Sequence, residues 1–328
     1  MNRTLVLVSL VSSLHGYLPA QQTQVSGPVE GFTFDGPTGS FRPVIGLPGS
    51  ASLGSGVSTI FERGYVAPRQ NYGLAFKDET WAVVTGLGTA QISVSALSGA
   101  FGSPEGVVWS GDGSTAVLFS RSKNWIRNLG GLPGAATAGE SVDLSFLTGS
   151  LSAIAADTTG KRIAIGVAGE SGGVYLMTDG GSPIPVLASS KPTALAFSSD
   201  GRELYSVDGA TLQITALQLA DFTSDSFPLD GLTDPIAIKP ARDAANRRVL
   251  FVAGRKDYLL RVYDAAGHQV LTDIPLDFPP SELGDFGRNS FLLAPRTNGN
   301  DPLWLFTATP QPAVYFVPAG PASSGESQ

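Results

Sequence analysis

The chain has 328 residues, 42% of them hydrophobic and 15% charged, with a formal net charge of -7. That acidic balance excludes nucleic acid as a partner, because polyphosphate binding needs a dense basic surface. With no cysteine and only two histidines, disulfides, thiolate metal sites, thiol catalysis and multi-imidazole centres are excluded as well.

At the N-terminus, Met1-Asn-Arg3 is followed by an apolar stretch from Leu5 to Leu14 and then a small residue at Ala20. One positive charge, a short apolar core and a small residue make residues 1–20 a predicted secretory signal peptide with cleavage near Ala20. That core is too short to span a bilayer, and no later run reads as a membrane-spanning helix. The chain is therefore expected in a secreted or periplasmic setting. Residues 21–320 read as one domain and residues 321–328 as a polar tail, and a monomer is expected.

Along the domain, 40 Gly and 23 Pro punctuate many short apolar runs, the pattern of strands joined by tight turns. Gly31-Phe-Thr-Phe-Asp-Gly-Pro-Thr-Gly-Ser-Phe-Arg-Pro-Val-Ile45 reads as a hairpin. The next unit, Phe61 to Leu97, carries runs at Tyr65–Ala67, Tyr72–Phe76, Trp81–Thr85 and Ile92–Val94. A repeated phrase then becomes legible. It runs as Glu105-Gly-Val-Val-Trp-Ser-Gly-Asp-Gly-Ser-Thr-Ala-Val-Leu-Phe119, returns from Ala153 to Ile165, and returns again from Thr193 to Val207. Its starts fall near Pro104, Leu151, Lys191, Asp234 and Ser281, at gaps of 47, 40, 43 and 47 residues.

Repeats of about 44 residues with four candidate strands each predict an all-β propeller of seven blades, each of four antiparallel strands. The alternative is six blades, with the N-terminal strands closing the last one and hiding its edge. Strands such as Val249-Leu-Phe-Val-Ala253 are apolar nearly throughout, as expected when both faces of a sheet are covered by neighbours.

The Ser-x-Asp-Gly turn in Phe197-Ser-Ser-Asp-Gly-Arg-Glu-Leu-Tyr-Ser-Val207 resembles the blades of secreted bacterial β-propellers of the YVTN and WD-repeat-like group. The likeness is of the repeat unit, because the Gly-His and Trp-Asp signatures of strict WD repeats do not occur. It implies a scaffold for binding more readily than an enzyme.

No nucleophile elbow, zinc-protease motif or phosphate loop occurs, and Gly86-Leu-Gly88 lacks the remainder of a dinucleotide fingerprint. His268 follows a Gly turn and reads as an exposed hairpin residue. Trp81, Trp109 and Trp304 read as core.

In a propeller the residues just before the innermost strands surround one mouth of the channel, which places Arg63, Glu105, Lys191, Asp234 and Glu282 there. This mouth is the expected ligand site, for an unknown protein, glycan or small ligand. No catalytic residue, resident metal or cofactor is assigned. In the alternative reading, Glu105, Asp234 and Glu282 hold Ca²⁺ for a lactonase or other hydrolase. A second candidate is a basic–aromatic surface patch of Arg121, Lys123, Trp125 and Arg127, with Arg255 and Lys256 in the matching loop of a later unit.

Overall fold

The computed structural model describes residues 27–319 apart from 90, 100 and 288. The leader at 1–20 and the tail at 321–328 lie outside them. Seven antiparallel sheets follow one another along the chain, each a simple meander. The chain is a seven-bladed β-propeller.

Blade 1 holds β1 (Val29–Asp35), β2 (Ser40–Ile45) and β3 (Ser52–Leu53). Blade 2 holds β4 (Arg63–Val66), β5 (Tyr72–Lys77), β6 (Thr80–Thr85) and β7 (Ser93–Ala96). In blade 3 come β8 (Gly106–Trp109), β9 (Ala116–Ser120), β10 (Trp125–Gly130) and β11 (Thr137–Asp143). Blade 4 comprises β12 (Ser150–Ala156), β13 (Arg162–Ala168), β14 (Gly173–Thr178) and β15 (Ile184–Ala188). Blade 5 comprises β16 (Pro192–Phe197), β17 (Glu203–Asp208), β18 (Gln213–Gln218) and β19 (Ser224–Pro228). In blade 6 come β20 (Pro235–Arg242), β21 (Arg248–Gly254), β22 (Leu259–Asp264) and β23 (Val270–Pro275). Blade 7 closes the series with β24 (Gly284–Asp285), β25 (Ser290–Ala294), β26 (Leu303–Thr307) and β27 (Ala313–Val317).

The first strand of a blade is the innermost, since β8 meets β12, β12 meets β16 and β16 meets β20 around the axis. Second strands are the most buried, as in β9, where all five residues are inside. Fourth strands such as β7 and β11 form the exposed rim.

Seven clusters of buried side chains occupy the seven seams between neighbouring blades. Phe41 meets Val84 between blades 1 and 2, Leu74 meets Leu118 in the next seam, and Phe119 meets Ile163 after that. Leu176 and Leu204, Val207 and Leu250, and Phe251 and Phe306 continue the series, and Leu305 with Val44 closes it. Within β21, Leu250 and Val252 face blade 5 while Val249 and Phe251 face blade 7. A strand buried on both sides therefore needs apolar residues at every position.

The turns linking first and second strands gather on one face. Asp112 accepts hydrogen bonds from the Ser110 hydroxyl at 2.9 Å and the Ser114 amide at 2.9 Å. Asp200 does the same with Ser198 and the Arg202 amide. The following Gly113 and Gly201 have φ of +72° and +65°, where a Cβ would be strained. This face is the turn face. The opposite one, where innermost strands begin, is the mouth face.

Blade 1 departs from the four-stranded pattern: three strands are present among the described residues. The direction of β1 identifies its place. Phe34 packs on Gly64 near the mouth-face start of β4, while the Phe32 amide meets Gln70 beyond its far end. So β1 runs opposite to β4, as a second strand does, and among the described residues no strand lies on its axial side. The N-terminal strands do not complete blade 7, which is built wholly from β24–β27. Instead the seam between blades 7 and 1 is held by packing and by a buried charge cluster. Asp35 is 0% exposed and accepts from Arg296 Nη1 at 2.8 Å and Arg42 Nη1 at 2.9 Å.

Candidate functional site

Arg63 opens β4, Glu105 and Lys191 immediately precede β8 and β16, Asp234 precedes β20, and Glu282 lies two residues before β24. All five are thus on the mouth face, but their surroundings differ.

Hydrogen-bond register shows which of them are equivalent. The backbone N–H of Glu105 donates to Phe119 O, that of Glu62 to Phe76 O and that of Glu282 to Leu293 O. Glu62, not its neighbour Arg63, is the counterpart of Glu105. In blades 2 and 3 this glutamate caps the turn between the second and third strands of its own blade. Glu62 Oε1 accepts the Asp78 amide at 2.9 Å. Glu105 accepts the Ser120 hydroxyl at 2.9 Å, the Ser122 amide at 3.0 Å and the Arg121 amide at 3.2 Å, with the Ser122 hydroxyl also on Oε1. Those donors, the Ser122 hydroxyl foremost, draw the Glu105 carboxyl down to about 2, because each favours the ionised form.

Blades 5 and 6 use the same tie in reverse. Asp208, at the end of β17, takes the Ser189 hydroxyl at 2.7 Å. Asp257, in the turn after β21, takes the Thr233 hydroxyl at 2.7 Å and the Asp234 amide at 3.3 Å. These carboxylates pin the strand-start loops to the adjoining turns.

Glu282 has the register but lacks the tie. The corresponding turn of blade 7, residues 295–302, satisfies itself: Asp301 accepts the Thr297 hydroxyl at 2.9 Å and the Asn298 amide at 3.0 Å. Among the described residues the Glu282 carboxylate has no hydrogen-bond partner. The side chain is half-buried, with protein around it and only part of its surface open to solvent. Burial pushes its carboxyl up to about 7.

Tyr65 of β4 packs against the seam of blades 2 and 3, stacked on Trp81, and its hydroxyl donates to Glu105 O at 3.4 Å. Burial raises its hydroxyl; the Arg63 guanidinium opposes that rise and the charge of Glu282 adds to it. Arg63 itself donates to Pro104 O and lies 4.5 Å over the Phe76 ring. Arg63, Tyr65 and Glu282 therefore share one electrostatic neighbourhood. Deeper in, Lys239 Nζ pairs with Asp285 Oδ2 at 2.7 Å between the innermost strands of blades 6 and 7. Tyr65 and Gln70 had no signal in the linear pattern. Glu62 did, through the shared Glu-x-Gly of Glu62-Arg-Gly64 and Glu282-Leu-Gly284.

Glu105, Asp234 and Glu282 sit on blades 3, 6 and 7. Among the described residues no three acidic or histidine side chains gather as a metal-ligating group, so this trio does not fit a calcium centre.

The basic–aromatic residues divide. Arg121 and Lys123 are exposed in the turn before β10, and Arg255 and Lys256 are exposed in the turn after β21. Both turns are on the mouth face but three blades apart. Trp125 packs into the seam of blades 2 and 3, while Arg127 lies over Phe101 and donates to Gly139 O at 2.8 Å. His268 is not an exposed turn residue: its ring stacks 4.2 Å from Phe227, and Nδ1 is 3.4 Å from Asp225. Trp81 is 1% exposed, whereas Trp109 and Trp304 are partly buried at the edges of their clusters.

No family model matches the chain, and no curated protein matches it. Among solved structures, a functionally unknown protein from Desulfotomaculum acetoxidans is similar at 11% identity with a TM-score of 0.54, over 75% of this chain and 78% of that one. A chain of the nidogen/laminin complex is similar at 14% identity with a TM-score of 0.49, over 74% of this chain and 92% of that one. Identity of this order reflects fold alone. No helix among the described residues is long and apolar enough to cross a membrane.

Proposed function

We propose that this protein is an exported binding module whose mouth face takes a cationic group, a lysine or arginine side chain of a protein or peptide partner, at Glu282. One observation carries the reading. In blades 2 and 3 the register-equivalent glutamates are consumed by turn capping, whereas in blade 7 the carboxylate is left without a partner in a confined site. A confined anion gains most from a partner that brings its own charge. The blade-level likeness to secreted YVTN and WD-repeat-like propellers and the signal-like N-terminal segment are consistent with a scaffold working outside the cytoplasm.

The test is calorimetric titration with acetyl-lysine amide, acetyl-arginine amide and, as a neutral control, acetyl-norleucine amide. The cationic compounds should bind and the neutral one should not. Glu282→Gln should abolish the difference, while Glu105→Gln, which touches only a capped turn, should preserve it. Equal binding of charged and neutral probes would refute the reading.

A further inference from the structure

We propose that Asn298 is a self-modifying site: its side-chain amide converts to a carboxylate through attack by the next backbone nitrogen, and the conversion loosens the seam between blades 7 and 1. Asn298 is the one asparagine of the chain followed directly by glycine. Glycine has no Cβ to shield its backbone nitrogen or to restrict the approach of that nitrogen to the side chain before it.

The fold leaves this nitrogen free to react. Asn298 and Gly299 are exposed in the turn between β25 and β26. The Gly299 N–H has no hydrogen-bond partner among the described residues, and a Cβ placed on Gly299 would meet nothing within 4 Å. In the reaction the Gly299 nitrogen gives its proton to a solvent base and bonds to Cγ of Asn298. The Cγ–Nδ2 bond breaks, and Nδ2 leaves as ammonia with a proton from solvent, so a cyclic imide remains. Water then opens the imide. Attack at Cγ gives aspartate, and attack at the backbone carbonyl gives isoaspartate, whose chain runs through the side chain. The balance is one water in and one ammonia out, with nothing oxidised or reduced.

The consequence follows from what the turn holds. Asp301 Oδ2 accepts the Asn298 N–H at 3.0 Å and its Nδ2 at 2.9 Å. Conversion replaces the second donor with a carboxylate, and like charges so close repel. Isoaspartate also adds a carbon to the backbone beside Gly299. Arg296, 5% exposed, depends on this turn. Its Nε donates to Asp301 O at 2.7 Å and its Nη2 to Gly299 O, while Nη1 holds Asp35 of blade 1 at 2.8 Å. A turn pushed open withdraws acceptors from a buried guanidinium, which is costly, and that guanidinium is a tie across the seam.

The experiment ages the full chain at mildly alkaline pH, with conversion read by peptide mapping and mass spectrometry and the seam read by amide exchange. Asn298 should convert before any other asparagine. Exchange in blades 1 and 7 should quicken about tenfold in the converted protein, the worth of one hydrogen bond to a charged group. Asn298→Asp should show the quickened exchange without ageing. Gly299→Val should keep both its amide and its seam, since the space is open, the backbone there is not left-handed, and the branched side chain shields the nitrogen. Asn298→Gln, whose longer side chain closes the ring poorly, should do the same. An Asn298 that stays unconverted while another asparagine converts would overturn the site, as would equal conversion in Gly299→Val. Conversion with unchanged exchange in blades 1 and 7, or an Asn298→Asp seam as tight as the parent's, would overturn its link to ring closure.

Discussion

Glu282 and Glu105 begin with the same backbone bond and end in opposite chemical states, because a carboxylate responds to its donors more than to its register. Around Glu105 four donors stabilise the anion. Around Glu282 burial favours the neutral acid, and its carboxyl rises to about 7. The consequence for stability has a definite sign. Between the unfolded value of 4.5 and about 7 the folded chain holds a proton that the unfolded chain has lost. Stability from this group therefore falls as pH rises through that window and is level above it. Glu282→Gln removes the slope. In urea unfolding the variant should match the parent near pH 4 and exceed it at pH 8 by about 1–2 kcal/mol. The full shift would give more, but residual solvent screens the charge. A variant less stable than the parent at pH 8 would mean that the carboxylate has a structural partner.

At the scale of the element, the blade is a hairpin unit whose first turn is set by an aspartate followed by a glycine. In Ser198-Ser-Asp-Gly201 the Asp200 side chain accepts the Ser198 hydroxyl at 2.7 Å and the Arg202 amide at 3.1 Å, and Gly201 takes up a φ of +65°. A Cβ at Gly201 would meet the tip of Arg162, which can move aside, so backbone strain sets most of the cost. Gly201→Ala should lose about 1 kcal/mol, and Gly201→Asn less, since asparagine tolerates left-handed backbone. Chemical denaturation of the two variants checks the order. These turns also join one blade to the next, as where the Thr158 hydroxyl donates to Ser199 O at 3.0 Å. The device that closes each hairpin thus helps to set blade spacing.

For the whole molecule, the decisive junction is the seam between blades 7 and 1, which no chain connection among the described residues bridges. Apolar packing of Val44, Leu53, Leu303 and Leu305 covers it. The Arg42–Asp35–Arg296 cluster locks its mouth side, with Asp35 and Arg296 almost wholly inside. Removing the acid leaves two cations facing each other out of water. Asp35→Ala should cost about 3–5 kcal/mol, read by thermal or urea unfolding. Amide exchange should loosen first in blades 1 and 7 rather than evenly round the ring. Uniform loosening would mean that the seam is no weaker than the other six.

Read alone, the sequence determined the architecture. The spacing of the repeat, the Asp-Gly turns and the unbroken apolar strands such as β21 are local facts, and a strand buried on both faces must look that way wherever it sits in the ring. The seven units and most strand positions in blades 2 to 6 followed from these signals. Only the tertiary structure decided that β1 and β2 stand as the second and third strands of blade 1, because they look like any hairpin until the direction of β4 beside them is known. The site was half legible for the same reason. Position before an innermost strand identified Glu105 and Glu282 alike, but whether a carboxylate is capped or left unpartnered depends on a turn more than a dozen residues away. Hydrogen-bond donors are satisfied through space, and spacing along the chain carries no record of which of them arrive.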